Sequence, residues 1–379
     1  MTANAPQREI VLLGAGHNHL HVLRMWGQAP IPGARLTCVT DLLSAAYPDM
    51  LSGTLAGMYS ADEMRIDLVR LCAAGNIRLI RANVSGLDHQ RRELQCEHGP
   101  PISFDVLSIG IGSVPREAGV LLDESVVRLK PKQTFLRRLD ERLAQFAASE
   151  GDNRPLRIAV IGDDVRGVEI SLCLPVRLRQ ALGSRPFELS LIDSDVRLLP
   201  DMGRAPSNFA SRALRRCNVQ VILGRAVRSA TAGLLTLDDD SQIPADLVLW
   251  CTGAEAPPLL AKLGLPTDHA GFLSTRSTLQ SLGDERIFAV GDHGTIQGRP
   301  APKAGVYALR QGPILWGNLH RTHFNRPLIR YQPQRGFLSL MDLADGRAIL
   351  SYRGLAASGR WCWRLKDSID RRFVQQFRE

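Results

Sequence analysis

Arg8-Glu9-Ile10-Val11-Leu12-Leu13-Gly14-Ala15-Gly16-His17-Asn18-His19 is the stretch that decides the fold. Ile10 to Leu13 is a short apolar run of the kind buried in a parallel sheet, and it runs straight into a glycine turn. A helical stretch follows from His17 to about Gln28, where Pro30 and Pro32 break it. Arg35 to Thr40 then reads as the next strand. Strand, tight turn, helix and strand form one βαβ unit of about thirty residues. Gly14 permits the turn, and Gly16 lets backbone amides approach a pyrophosphate at the helix N-terminus. His19 stands where the G-x-G-x-x-G pattern has its third glycine. It leaves the phosphate side intact and predicts looser packing of helix on strand. The acidic ribose ligand is expected at the end of the second strand, where Thr40 and Asp41 stand.

The plan restarts at residue 156. Leu156 to Ile161 is a strand, Gly162 to Gly167 the turn, Val168 to about Leu182 a helix, and Phe187 to Asp193 the returning strand. Asp105 to Ser113 and Asp246 to Gly253 match each other as strands that end in glycine. In the second turn, Gly162-Asp163-Asp164-Val165-Arg166-Gly167, the middle glycine is replaced by Asp164. A carboxylate there is expected to face a diphosphate and repel it. Asp193 is placed to take a 2′-hydroxyl, which favours NADH over NADPH. Arg286 to Asp292 is one more strand, and its Gly291-Asp292 end suits a phosphate and a sugar-like hydroxyl. The stretch from Ala147 to Pro155, with Ser149 to Asn153 at its middle, reads as a surface loop between the two units.

Composition bounds the rest. The chain has 379 residues, 44% hydrophobic and 22% charged, enough for two or three globular domains. Disorder and miniprotein classes are excluded, and no apolar run reaches the ~18 residues of a membrane span. Ile10 to Leu13 is too short for a signal-peptide core, so the expected location is cytoplasmic. Lys plus Arg is 47 against 38 for Asp plus Glu, a net charge of +9. The basic residues are spread along the chain except at its C-terminal end, which argues against nucleic acid as a partner. Seven scattered cysteines include no C-x-x-C pair. His17, His19 and His21 have no further ligand at metal spacing, so no metal is expected.

Taken in order, these motifs resemble two-dinucleotide-domain flavoproteins such as type II NADH dehydrogenases and sulfide:quinone oxidoreductases. The nearer resemblance is to the NADH-dehydrogenase-like flavoproteins fused ahead of selenide, water dikinase. It is carried by Leu13 to Leu20, by Tyr47 to Gly53, by Pro302-Lys303-Ala304-Gly305-Val306 and onward to Pro313, and by Gly359 to Phe373. The implied architecture is α/β, with two Rossmann-like dinucleotide-binding domains and a small C-terminal domain. FAD would take residues 1–115 and 256–325, NADH residues 116–255, and the C-terminal domain residues 326–379. The resemblance implies that Gly14, Gly16 and the neighbourhood of Asp41 hold the ADP half of FAD, with His19, Val84 and Gly112 among the cofactor-binding positions. Gly291 and Asp292 would hold pyrophosphate and ribitol, and Lys303, Ala304 and Gly305 would lie near the isoalloxazine. Gly162, Gly167, Asp193 and Gly253 would belong to the NADH site. Glu169 stands where related enzymes carry a glutamate near the nicotinamide, although it also reads as an exposed helix acid. Gln311 is the candidate on the acceptor side.

The tail mixes Trp361, Trp363, Leu365, Ile369, Phe373 and Phe377 with arginines, and Ile369, Phe373 and Phe377 recur every four residues. Residues 360–379 therefore suit either peripheral contact with the inner face of the cell membrane or docking on the core or on the second copy in a homodimer. The leading function is an FAD-dependent oxidoreductase passing electrons from NADH to a quinone or small acceptor. Two alternatives stand beside it: a flavoprotein that uses no pyridine nucleotide, favoured by Asp164, and a non-catalytic flavin-binding regulatory or assembly subunit.

Overall fold

The computed structural model describes residues 7–117, 119–148, 154–162, 164–231 and 233–378. Asp163 and the loop expected at Ser149 to Asn153 lie outside the described residues.

The first unit is a five-stranded parallel sheet in the order Ile287–Ala289, Val106–Ile109, Arg8–Leu13, Ala34–Thr40, Arg78–Arg81. Leu13 pairs with Val39 on one side and with Ile109 on the other. The connections diverge at that central strand, and such a switch point is where open α/β sheets bind ligands. The helix α1, His17–Gln28, buries Leu20, Val22, Leu23 and Trp26, which gives the apolar face expected from their spacing.

The chain leaves this unit through Val114–Pro115, which pairs antiparallel with the returning Ala254–Glu255. Between the two crossings, α2 (Lys132–Ala147) leads into a second parallel sheet. Its order is Val127–Arg128, Leu247–Trp250, Leu156–Ile161, Phe187–Asp193, Val219–Leu223. The helix α3 runs over Val165–Leu182, three residues ahead of its expected start. The Asp164 side chain explains the early start, because it accepts from the Arg166 amide and caps the helix. After the second unit the chain returns to the first sheet, and α4 (Gly305–His323) packs against α1.

The C-terminal piece is an antiparallel sheet of Ser339–Asp342, Ala348–Tyr352 and Leu355–Gly359, followed by α5 (Arg360–Gln375). Its first strand starts at Ser339, two residues after the expected Phe337. Lys366 and Asp370 are 4% and 3% exposed and meet at 2.6 Å. The Lys366 ammonium also donates to the Asp49 carbonyl, and Phe373 stacks on Tyr47 with ring centroids 4.3 Å apart. Arg371 reaches Glu63 at 2.6 Å. These contacts split the expected stripe. Phe373 and Phe377 turn into the first unit, whereas Ile369 faces outward with Leu365 and Trp361.

Removing one member of a buried ion pair leaves the other charge without its partner. Lys366→Met should therefore cost about 3 kcal/mol in urea unfolding, and adding Asp370→Leu should restore most of that loss.

Candidate cofactor cleft

The first glycine turn sits on the end of the neighbouring strand. Gly14 has φ +90°, and a Cβ there would lie 2.5 Å from the Gly110 carbonyl oxygen. At Gly16 the same oxygen would be 3.2 Å away. α1 therefore begins at the sheet's edge, and Gly16 gives it no side-chain cap and no acidic residue follows in its first turn. α4 begins the same way, with Ala304 as an uncapped N-cap. Both N-termini border one cleft of about 500 Å³, within the range of roughly 300–1,000 Å³ typical of cofactor pockets.

Asp41, Asn83, Val84 and Glu97 line the part of this cleft beside strands Ala34–Thr40 and Arg78–Arg81. Gly14 and Gly16 line its middle. On the other side of the central strand stand Gly112, Ser113, Lys130, Lys132, Arg166, Gly291, Asp292, Lys303 and Gly305. The Ser113 hydroxyl donates to Asp292 at 2.8 Å, and the Lys130 ammonium donates to Ser113 at 2.5 Å. Burial alone would raise the Asp292 carboxyl, yet Lys130, Ser113, Lys132 and Arg166 together hold it below its ordinary range. Burial also pushes Lys130 down to about 8. The Lys303 ammonium donates to the Gly294 carbonyl and the Thr295 hydroxyl, both at 2.9 Å, and lies 4.1 Å from the Phe272 ring centroid. Burial lowers it, too, to about 8.

Several expected site residues stand elsewhere. His19 is fully buried, with one ring nitrogen 2.6 Å from the Gly14 carbonyl and the other 2.8 Å from the Ser108 hydroxyl. Burial lowers its pKa to about 4. A Cβ on Gly110 would lie 2.4 Å from the ring, so the imidazole fills the space under the turn and packs it tightly. Gln311 is buried, and its amide oxygen accepts from the Gly291 amide at 2.7 Å. That fixes the Gly291 turn, and Gln311 does not line the cleft. Ala304 caps α4 beside the cleft without lining it.

Glu169 also leaves the cleft. Its carboxylate accepts from the Asp342 amide at 2.8 Å, against the C-terminal sheet. Removal from water raises its pKa to about 7, with Lys366 and the Asp342 amide opposing and the Asp342 carboxylate adding. It lines neither cavity, and its buried carboxyl is not a solvated acid. Sequence reasoning passed over Ser113, Lys130, Lys132, Asn83 and Glu97. Lys130-Pro131-Lys132, paired cations between a strand and a helix, was the one local signal.

A second, smaller hollow of about 110 Å³ lies at the C-terminal ends of the second sheet. Gly162, Ser194, Arg116, Arg225 and Thr252 line it. Gly167 packs instead against Gly162, since a Cβ on it would lie 2.8 Å from the Gly162 Cα. The expected ribose ligand Asp193 is buried and accepts from the Asp195 amide at 2.9 Å. Gly253 lines neither cavity, and its carbonyl accepts from the Arg116 amide. Asp164 does not stand as a bare charge before a diphosphate. It caps α3 and is ion-paired with Arg166, whose Nε and Nη2 both donate to its carboxylate.

Two parallel-sheet nucleotide units joined by a paired crossing, with an uncapped glycine turn at the first, define a two-domain dinucleotide-binding oxidoreductase fold. Residues 8–312 match the family described as pyridine nucleotide-disulphide oxidoreductase, and the chain belongs to it. It is similar to demethylphylloquinone reductase NdbB of Synechocystis sp., 30% identical over 378 residues, covering 92% of this chain and 88% of that protein. It is also similar to the type II NADH:quinone oxidoreductase of Haemophilus influenzae, 24% identical over 64% of this chain and 61% of that protein. Among solved structures, NDH2 from Plasmodium falciparum in complex with NADH superimposes with a TM-score of 0.83 at 13% identity, covering 98% of this chain and 97% of that one. The sulfide:quinone oxidoreductase of Aquifex aeolicus gives 0.79 at 16%, covering 98% and 91%. Among the described residues, no cysteine lines the cleft.

Gly14→Ala forces a side chain into the Gly110 carbonyl at a φ that disfavours it. The purified variant should lose its flavin absorbance while wild type keeps it. Glu169 predicts a pH effect. Its folded pKa of about 7 lies above the ordinary 4.5, so its contribution to stability is full below pH 4.5 and is lost as pH rises toward and through 7. Glu169→Gln should therefore melt higher than wild type at pH 8, with the gap closing at pH 5.

Proposed function

We propose that the protein is an FAD-dependent oxidoreductase that passes electrons from NADH to a quinone. The observation that carries the reading is the convergence of two uncapped helix N-termini on one cleft that also holds an ionised Asp292. Backbone amides at the start of α1 suit a pyrophosphate. Asp41 and Glu97 suit ribose hydroxyls at one end, and Asp292 suits the ribitol at the other. The start of α4 and Lys303 suit the carbonyl edge of a flavin ring. FAD bound there supplies the two-electron chemistry, while the chain binds, orients and excludes water. The family match and the named activities of its relatives support the NADH and quinone assignments.

A second reading, without a pyridine nucleotide, is favoured by Asp164. Its carboxylate already accepts from the α3 N-terminus and so competes with a diphosphate for that positive end. Anaerobic mixing of the FAD-loaded protein with NADH separates the two readings. Rapid bleaching of the flavin band is expected, and a stable oxidised spectrum with FAD retained would contradict the NADH reading.

The quinone assignment includes a membrane surface. Trp361, Leu365 and Ile369 are 56%, 37% and 43% exposed and recur every four residues along α5. Arg364 and Arg372 flank them, exposed as well. An apolar stripe with basic borders suits the headgroup region of an anionic bilayer. No helix among the described residues is long and apolar enough to cross a membrane. Replacing Trp361, Leu365 and Ile369 by Ser should abolish co-sedimentation with anionic phospholipid vesicles while α5 stays docked through Lys366. Binding unchanged by the triple substitution would contradict this part of the reading.

A further inference from the structure

The docking face of α5 carries more ionisable groups than docking requires. Asp49 lines the cleft. The buried Tyr47 hydroxyl lies beside both Asp49 and Asp370. Asp370 is buried against Lys366 and acts electrostatically on the Tyr59 hydroxyl, itself beside Asp367. Tyr59 is 4% exposed, and its hydroxyl makes no hydrogen bond in the standing arrangement. Asp367 is partly exposed and pairs with the surface Arg371 at 2.8 Å. Carboxyl and phenol therefore alternate from the surface to the cleft: Asp367, Tyr59, Asp370, Tyr47, Asp49.

A static anchor is already complete with Lys366, Asp370 and the Asp49 carbonyl. Two buried phenols, one of them unbonded, add cost to such an anchor rather than strength. We propose that this series is a proton path through the α5 interface, delivering protons from the surface to the cleft at Asp49. The proposal rests on the quinone reading above. The balance is NADH plus quinone plus one proton giving NAD⁺ plus quinol. The hydride brings one hydrogen and both electrons, so one proton per turnover comes from solution. Asp370 is the central station. Burial raises it to about 6, with Asp49 adding and Lys366 and the Tyr47 hydroxyl opposing, so it holds and releases a proton near neutrality. Glu169 faces Lys366 from α3, and Asp342 from the C-terminal sheet, and they complete the charges around it.

Tyr47→Phe keeps the ring stacked on Phe373 and removes only the hydroxyl, while Asp370→Asn removes the station. The reduced, FAD-loaded proteins are reoxidised with a water-soluble benzoquinone, which needs protons, or with ferricyanide, which does not. Both variants should be slowed about a hundredfold toward benzoquinone and stay within about twofold of wild type toward ferricyanide. Infrared difference spectra between oxidised and reduced protein, with ¹³C-labelled aspartate, should show a carboxyl signal in wild type and in Tyr47→Phe that Asp370→Asn lacks. Equal slowing with both acceptors, unchanged benzoquinone rates, or a carboxyl signal indifferent to Asp370→Asn would overturn the path. If Asp370→Asn does not fold, the acceptor comparison in Tyr47→Phe decides alone. A wild-type protein that reduces ferricyanide but no quinone would sink the quinone reading, and the infrared signal would still report on the path.

Discussion

The contact between the Gly14 turn and the Gly110 carbonyl is the constraint on which the rest depends. Only a residue without a Cβ, at positive φ, lets the first turn lie on the end of strand Val106–Ile109. That approach puts the bare N-terminus of α1 at the switch point of the sheet. His19 tightens the arrangement from below by bridging the Gly14 carbonyl to Ser108. The missing third glycine is thus replaced by a buried polar bridge, and the turn gains a hydrogen-bonded floor. The second turn shows what the same backbone does without an open helix end. Gly162 and Gly167 still touch, but Asp164 satisfies the amide that a phosphate would otherwise meet.

The second organising feature is the C-terminal helix. α5 is fastened to the first unit by Lys366, Asp370, Phe373 and Arg371, while the preceding sheet reaches α3 through the Asp342–Glu169 bond. A short terminal element thus touches both nucleotide units. Its inner face buries the Lys366–Asp370 pair beside Phe373 and Val374, and its outer face keeps an apolar stripe. The two uses expected of the tail are therefore compatible, because they fall on different sides of one helix.

Most of the architecture was legible in the sequence because the signals are local. Short apolar runs ending in glycine, at period and spacing fixed by the βαβ unit, gave both sheets. The lining of the cleft was legible where backbone makes it, at Gly14, Gly16, Gly112 and Gly291. It was not legible where a side chain's direction depends on distant packing. Glu169 and Gln311 are placed on helices whose neighbours, Asp342 and Gly291, are 173 and 20 residues away in the chain. Lys130 and Ser113 become part of the cleft only because the crossing brings them to Asp292, 179 residues after Ser113. His19 was read as a defect in a pattern, since nothing local reveals the Ser108 hydroxyl opposite it.

Of the two glycine turns, only the first leaves its helix N-terminus open toward the cleft, and one flavin per chain is expected. The direct measurement is the flavin-to-protein ratio of the purified chain, from released FAD against amino-acid analysis. One FAD per chain is the result this account predicts. A ratio near two, or protein that takes up no FAD when it is supplied in excess, would contradict it.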